Sequence, residues 1–279
     1  RRCRRPHSRD SLPSVKYLAP NAFTAASLLC GLASIVLTVE GRFVDAAWFA
    51  LYCVLLDKVD GFAARLLGAQ SRFGAQFDSF ADQVGFGIAP AVLFLSYFTE
   101  HPEYGLAQGL GRLALLVGAG VYVVGNAARL ARYNISESDP RYFQGVPTTL
   151  AGGFLCALFL TCLKYGAQPS AFHEPRLLGS LHIGAVVLRG MPVYLVMFGL
   201  LMVSQVRIPK LTHRTKRVWN LLQVPNVAAV YVFGAIQWFP EYMFALALAY
   251  FVIGVIVSRL RGAPPSADEH VGQEAGAAR

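Results

Sequence analysis

The sequence predicts an all-α, polytopic membrane protein with about eight transmembrane helices, and three observations carry that prediction. Apolar residues make up 55% of the 279 and charged residues only 15%, a balance that does not suit a soluble surface. Apolar runs near the ~20 residues needed to cross a bilayer recur along the chain. The formal net charge of +9 collects in short segments that fall on one side when the runs are threaded in turn. That distribution is the positive-inside pattern, so the basic balance implies a lipid bilayer and no nucleic-acid partner. Five cysteines (Cys3, Cys30, Cys53, Cys156, Cys162) show no CxxC and no metal-ligand spacing, and the four in or near apolar runs read as small packing residues.

Residues 1–17 form a basic cytoplasmic segment with arginines at 1, 2, 4, 5 and 9, either a topogenic flank or a contact for anionic head groups. The first span, Leu18 to Val39, opens with Pro20, which suits a helix start, and places Asn21, Thr24 and Ser27 near one face. Spans two and three cover Asp45 to Leu67 and Gly74 to Phe98, the latter disturbed near its middle by Gly87 and Pro90. Thr99 to Arg112 is an outer loop whose His101, Glu100 and Glu103 have no regular ligand spacing. Span four, Leu113 to Tyr133, carries Asn126, Arg129 and Arg132, the two arginines being snorkelling anchors or an anion site. A cytoplasmic loop with Arg141, Tyr142, Phe143 and Gly145 leads to span five, Thr148 to Tyr165. The outer loop from Gly166 to His182 reads as plain surface, and span six runs from Ile183 to Gln205. The most basic inner loop holds Arg207, Lys210, Arg214, Lys216 and Arg217. Spans seven and eight, Val224 to Phe239 and Glu241 to Ser258, form a hairpin, and residues 262–279 read as a disordered tail. The division is then a membrane domain at 18–217 and an added hairpin at 218–261, with both termini cytoplasmic.

The chemistry concentrates between Asp57 and Asp82. On a helix Asp57, Asp60, Gly61 and Ala64 share one face, and Asp78 and Asp82 share a face of the next. Four carboxylates aimed at one point repel unless counter-charge is supplied. Hard oxygen ligands suit Mg²⁺ or Mn²⁺, which pair carboxylates with substrate phosphates. Gly61 and Gly74 allow a bulky ligand close to the backbone. Ionised residues at the edge of a span propose a functional site, and the other class of site they allow is a cation pathway. A transporter needs carboxylates nearer the midplane, whereas these sit at one cytoplasmic edge.

The pattern D-x2-D-G-x2-A-R-x8-G-x3-D-x3-D, filled here by Asp57, Asp60, Gly61, Ala64, Arg65, Gly74, Asp78 and Asp82, resembles the signature of the CDP-alcohol phosphatidyltransferases. The resemblance implies a six-helix core, a homodimer, and a donor that is a CDP-linked alcohol, usually CDP-diacylglycerol. It implies that Asp57, Asp60 and Asp78 hold two divalent ions, Mn²⁺ or Mg²⁺, with Asp82 at their edge and acting as the base on the acceptor hydroxyl. Arg65 would offset charge on the pyrophosphate, Gly61, Ala64 and Gly74 would admit the nucleotide, and Asn21 and Thr24 would line its pocket.

Three further stretches are similar to bacterial phosphatidylserine synthases within that family: Phe77 to Pro90, Ala128 to Asn134 with Tyr142 to Pro147, and Leu201 to Arg207. Thr148-Thr149 departs from the small, proline-containing sequence expected after Pro147. This likeness implies L-serine as acceptor, bound by Asn126, Arg129, Arg132, Phe143 and Gly145, at a site facing the cytoplasm of a bacterial inner membrane. Serine needs a cationic partner for its carboxylate, which Arg129 or Arg132 supplies. Tyr133, Tyr142 and Phe143 leave choline open, and glycerol 3-phosphate or inositol phosphate remain acceptors of the same chemistry.

Overall fold

The computed structural model describes residues 18–68, 71–135, 142–167, 171–209 and 217–260. The basic segment 1–17, Arg141, the basic loop residues 210–216 and the tail 262–279 lie outside the described residues.

Apolar runs become helices where the sequence places them. These are α1 (Leu18–Val39), α2 (Phe43–Leu66), α3 (Arg72–Asp82), α4 (Ala89–Glu100), α5 (Gly109–Ile135), α6 (Thr148–Cys162), α7 (Ala185–Arg189), α8 (Met191–Val203), α9 (Arg217–Ala235) and α10 (Pro240–Leu260). Among the described residues five helical segments are long and apolar enough to cross a membrane: Pro20–Val39, Arg72–Glu100, Gly109–Ile135, Thr148–Gly166 and Pro240–Arg259. Helix α2 is as long, with 24 residues, but carries Asp57, Lys58, Asp60 and Arg65 in its last turns. Met191–Val203 and Pro225–Ala235 are shorter apolar helices. The protein is thus an all-α, polytopic integral membrane protein.

Three departures from the expected elements have local causes. The disturbance expected in the third span takes the form of a widening: α3 runs into α4 through a π-helical stretch, Gln83–Ile88. Widening the helix there frees backbone groups, and the Tyr122 hydroxyl donates to the Phe86 carbonyl at 2.6 Å. The sixth span is divided at Gly190 into α7 and α8. The segments flanking α6 and following α8 form a small antiparallel ribbon, β1 (Tyr142–Gln144) on β2 (Arg207–Pro209), with Phe143 opposite Ile208.

Helix α6 is the most enclosed span and organises the packing. Its Phe154 ring meets Phe198 of α8 at 5.0 Å and Phe244 of α10 at 5.1 Å between centroids. Small residues bring α5 and α8 together: a side chain at Gly125 would collide with the Gly199 carbonyl. Cys30, Cys53, Cys156 and Cys162 are free thiols, three of them buried in this packing.

The loop after α6 is not plain surface at Glu174. Lys164, only 1% exposed, donates to both carboxylate oxygens of Glu241 at 3.0 and 3.2 Å and to the Pro175 carbonyl at 3.1 Å. Glu174 lies 3.1 Å from the same ammonium. The Tyr165 hydroxyl and the Leu177 amide also donate to Glu241, at 2.9 and 3.1 Å. One ammonium thereby fastens the loop and the start of α10 to α6. Lys164→Met leaves two buried carboxylates without their cation, an uncompensated charge that costs about 3–5 kcal/mol. The thermal midpoint of the purified protein is expected to drop accordingly, and adding Glu241→Leu to recover part of the loss; an unchanged midpoint in the single variant would show that the cluster is not a fastening.

Candidate active site

The end of α2, the start of α3 and the start of α1 converge on one acidic point. Ser71 caps α3, accepting from the Gly74 amide at 2.9 Å. A Cβ at Gly74 would stand 3.1 Å from Ser71 Oγ and 3.4 Å from Asn21 Oδ1, so glycine is what lets α1 and α3 close together there.

Carboxylate oxygens of Asp57, Asp60 and Asp78 all lie within 4.8 Å of one another. The i, i+3 spacing on α2 aims the first two alike, and α3 brings the third across. Asp60 is buried and accepts from Thr24 Oγ1 at 3.0 Å. Lys58, itself exposed, reaches Asp57 at 3.0 Å. A cluster of three carboxylates with one exposed ammonium beside it is a hard-oxygen donor set in need of positive charge, and a divalent cation fits it. Arg65 is exposed one turn beyond Gly61, where a Cβ would come 3.6 Å from its Nη1.

Asp82 stands apart from the three, a turn further along α3, and is buried. Thr148 Oγ1 donates to Asp82 Oδ2 at 3.5 Å and accepts from Arg129 Nη1 at 3.3 Å. Arg129 is buried, and its Nε has no partner among the described residues. Asn126, one turn earlier on α5, is fully buried, and neither of its side-chain polar atoms has a partner among them.

The other three acceptor candidates sit differently. Arg132 donates to the carbonyls of Val203, Gln144, Met202 and Ser204 at 2.7–3.4 Å, closing the end of α8 onto the ribbon. Gly145 has a φ of +73° and its amide donates to the Val206 carbonyl at 2.8 Å, a turn that a Cβ would jam against Met202. Phe143 is half-buried in the ribbon. Sequence reasoning passed over Gln83 and Lys58 and took Thr148 only as a departure from pattern. The one signal for Gln83 was an amide in the apolar run after Asp82.

Comparison with known proteins agrees with this geometry. Residues 17–188 match the model of the family described as CDP-alcohol phosphatidyltransferase. Two proteins of Helicobacter pylori strains named CDP-diacylglycerol–serine O-phosphatidyltransferase are 36% and 35% identical over 207 residues, covering 74% of this chain and 76% of theirs. A protein of the same name from Mycobacterium bovis is 34% identical over 157 residues, covering 53% of this chain and 51% of its own. With the family model spanning more than half of its length and the acidic signature folded into one site, the chain belongs to the CDP-alcohol phosphatidyltransferase family.

Proposed function

We propose that the protein transfers the phosphatidyl group of CDP-diacylglycerol to the hydroxyl of L-serine, giving phosphatidylserine and CMP. The observation that carries this reading is a three-carboxylate cluster with a separate buried carboxylate beside it, the latter linked through Thr148 to a buried guanidinium. The names of the similar proteins support the donor and the acceptor.

Asp57, Asp60 and Asp78 hold Mn²⁺ or Mg²⁺, two ions in this reading, with Asp82 at the edge of the set. Bound there, the metal supplies Lewis-acid stabilisation of charge on the pyrophosphate. Thr24 holds Asp60 in place, Arg65 adds charge at the mouth, and Asn21, Gly61, Ala64 and Gly74 keep that wall low for the nucleotide. Asp82 accepts the proton of the serine hydroxyl. The hydroxyl oxygen then bonds to the phosphorus bearing diacylglycerol, the bond from that phosphorus to the CMP oxygen breaks, and CMP leaves with the electron pair. Arg129 takes the serine carboxylate, since a guanidinium pairs with it in a bidentate way. Arg132, Phe143 and Gly145 act on the acceptor by shaping the ribbon at its rim. The site faces the cytoplasm of a bacterial inner membrane, both termini lie on that side, and the working unit is a homodimer. Residues 18–217 form the catalytic membrane domain and 218–261 an added hairpin.

The test is CMP release by purified protein given CDP-diacylglycerol, Mn²⁺ or Mg²⁺, and single acceptors in turn. Release is expected with serine. Release with choline, glycerol 3-phosphate or inositol phosphate in place of serine would keep the donor chemistry and overturn the acceptor.

A further inference from the structure

Behind the carboxylates lies a second group of side chains whose polar atoms are buried and unpartnered. Among the described residues Gln83 Oε1, Asn126 Oδ1 and Nδ2, and Arg129 Nε find no hydrogen-bond partner. Buried polar groups without partners cost free energy and call for an occupant. The Gln83 and Asn126 side chains are neighbours across the contact of the π-helical stretch with α5. Gln83 follows Asp82 in the chain, and a Cβ at Gly87 would stand 3.0 Å from Asn126 Nδ2 and 3.1 Å from Gln83 Nε2. Arg129 lies one turn beyond Asn126 on α5 and reaches Asp82 through Thr148.

Gln83 faces α5. Its Nε2 donates to the Val123 carbonyl at 3.4 Å, which leaves Oε1 as a pure acceptor. The π-helical stretch that Gln83 opens turns this residue toward α5. An acceptor-only carbonyl and an amide with a free oxygen, with a guanidinium one turn along α5 from that amide, are complementary to a small zwitterion. We infer that Gln83 and Asn126 form an ammonium subsite that selects an amino-acid acceptor over acceptors lacking the amine. The inference rests on the acceptor reading above and adds Gln83 to it as a specificity-determining residue. In this arrangement the carboxylate goes to Arg129, the hydroxyl faces Asp82 and Thr148, and the ammonium group donates to Gln83 Oε1 and Asn126 Oδ1. Three separate groups of the acceptor are then read at once, and a site built to hydrogen-bond a group rejects the analogue without it.

The test compares L-serine with 3-hydroxypropanoate, which keeps the hydroxyl and the carboxylate and lacks the amine. CMP release is followed with the full chain, CDP-diacylglycerol and Mn²⁺. Gln83→Met keeps the length and removes the acceptor atom; it is expected to raise KM for serine by about tenfold or more while kcat falls much less, and to shrink the preference for serine over 3-hydroxypropanoate by the same factor. Gln83→Glu keeps an acceptor oxygen and is expected to keep the preference. Asn126→Leu is expected to shrink it as Gln83→Met does. A Gln83→Met protein with the wild-type preference would overturn the inference, whether because the amides hold only buried water or because all acceptors lose rate alike. A wild type that releases no CMP with serine would instead sink the acceptor reading itself.

Discussion

Asp82→Asn is expected to cut turnover by about 10²–10⁴-fold, the usual worth of a positioned general base, while leaving divalent-metal binding largely intact. The expectation follows from where Asp82 stands. It is outside the trio whose oxygens share a 4.8 Å neighbourhood, yet it is buried and only one turn from Asp78. Asparagine keeps the shape and can still accept the hydrogen bond from Thr148, so the surroundings stay in place. What it loses is the capacity to take a proton from the acceptor hydroxyl. Mn²⁺ binding followed by electron paramagnetic resonance, alongside CMP release, separates the two roles. Loss of metal binding together with activity would make Asp82 a ligand rather than a base.

Asp78→Ala should behave in the opposite way on the binding axis. It removes one of three converging carboxylates, the one α3 contributes across to α2, and leaves Asp57 and Asp60 as a pair on a single helix. Metal affinity and CMP release are both expected to fall, the latter by about 10³-fold or more, since the lost electrostatic stabilisation amounts to several kcal/mol. The metal-free protein should not lose stability, because removing one of three mutually repelling carboxylates relieves that repulsion. A variant with normal metal binding and normal release would mean that the cluster is not the reaction centre. A variant that is inactive because its thermal midpoint has collapsed would make Asp78 a structural residue.

The two carboxylate changes concern residues that were legible in the sequence. Helical spacing alone puts Asp57 and Asp60 on one face, and the same spacing puts Asp78 and Asp82 on another, so the meeting of α2 and α3 follows once both are spans. The spans themselves follow from apolar runs of bilayer length. Other features were not legible, because they depend on partners distant in sequence. Arg132 looks like an anion site, but its guanidinium meets carbonyls of α8 about seventy residues away. Lys164 looks like an outer-loop charge until α10 delivers Glu241 to it. Three-residue strands such as Tyr142–Gln144 are too short for alternation to register. Gly87 and Pro90 announce a disturbance in the third span but do not say that it takes the form of a π-helical widening, and so do not say that Gln83 will turn toward α5.

If the acidic cluster, loaded with a divalent ion, moves a phosphatidyl group onto serine, turnover must follow the metal. The most direct measurement strips the purified full-length chain of metal with EDTA, then follows CMP and lipid product by mass spectrometry at saturating CDP-diacylglycerol and serine while Mn²⁺ or Mg²⁺ is added back. No release is expected without metal, recovery with either ion, and one phosphatidylserine formed for each CMP. Release that ignores the metal, or CMP formed together with phosphatidic acid in place of phosphatidylserine, would contradict it.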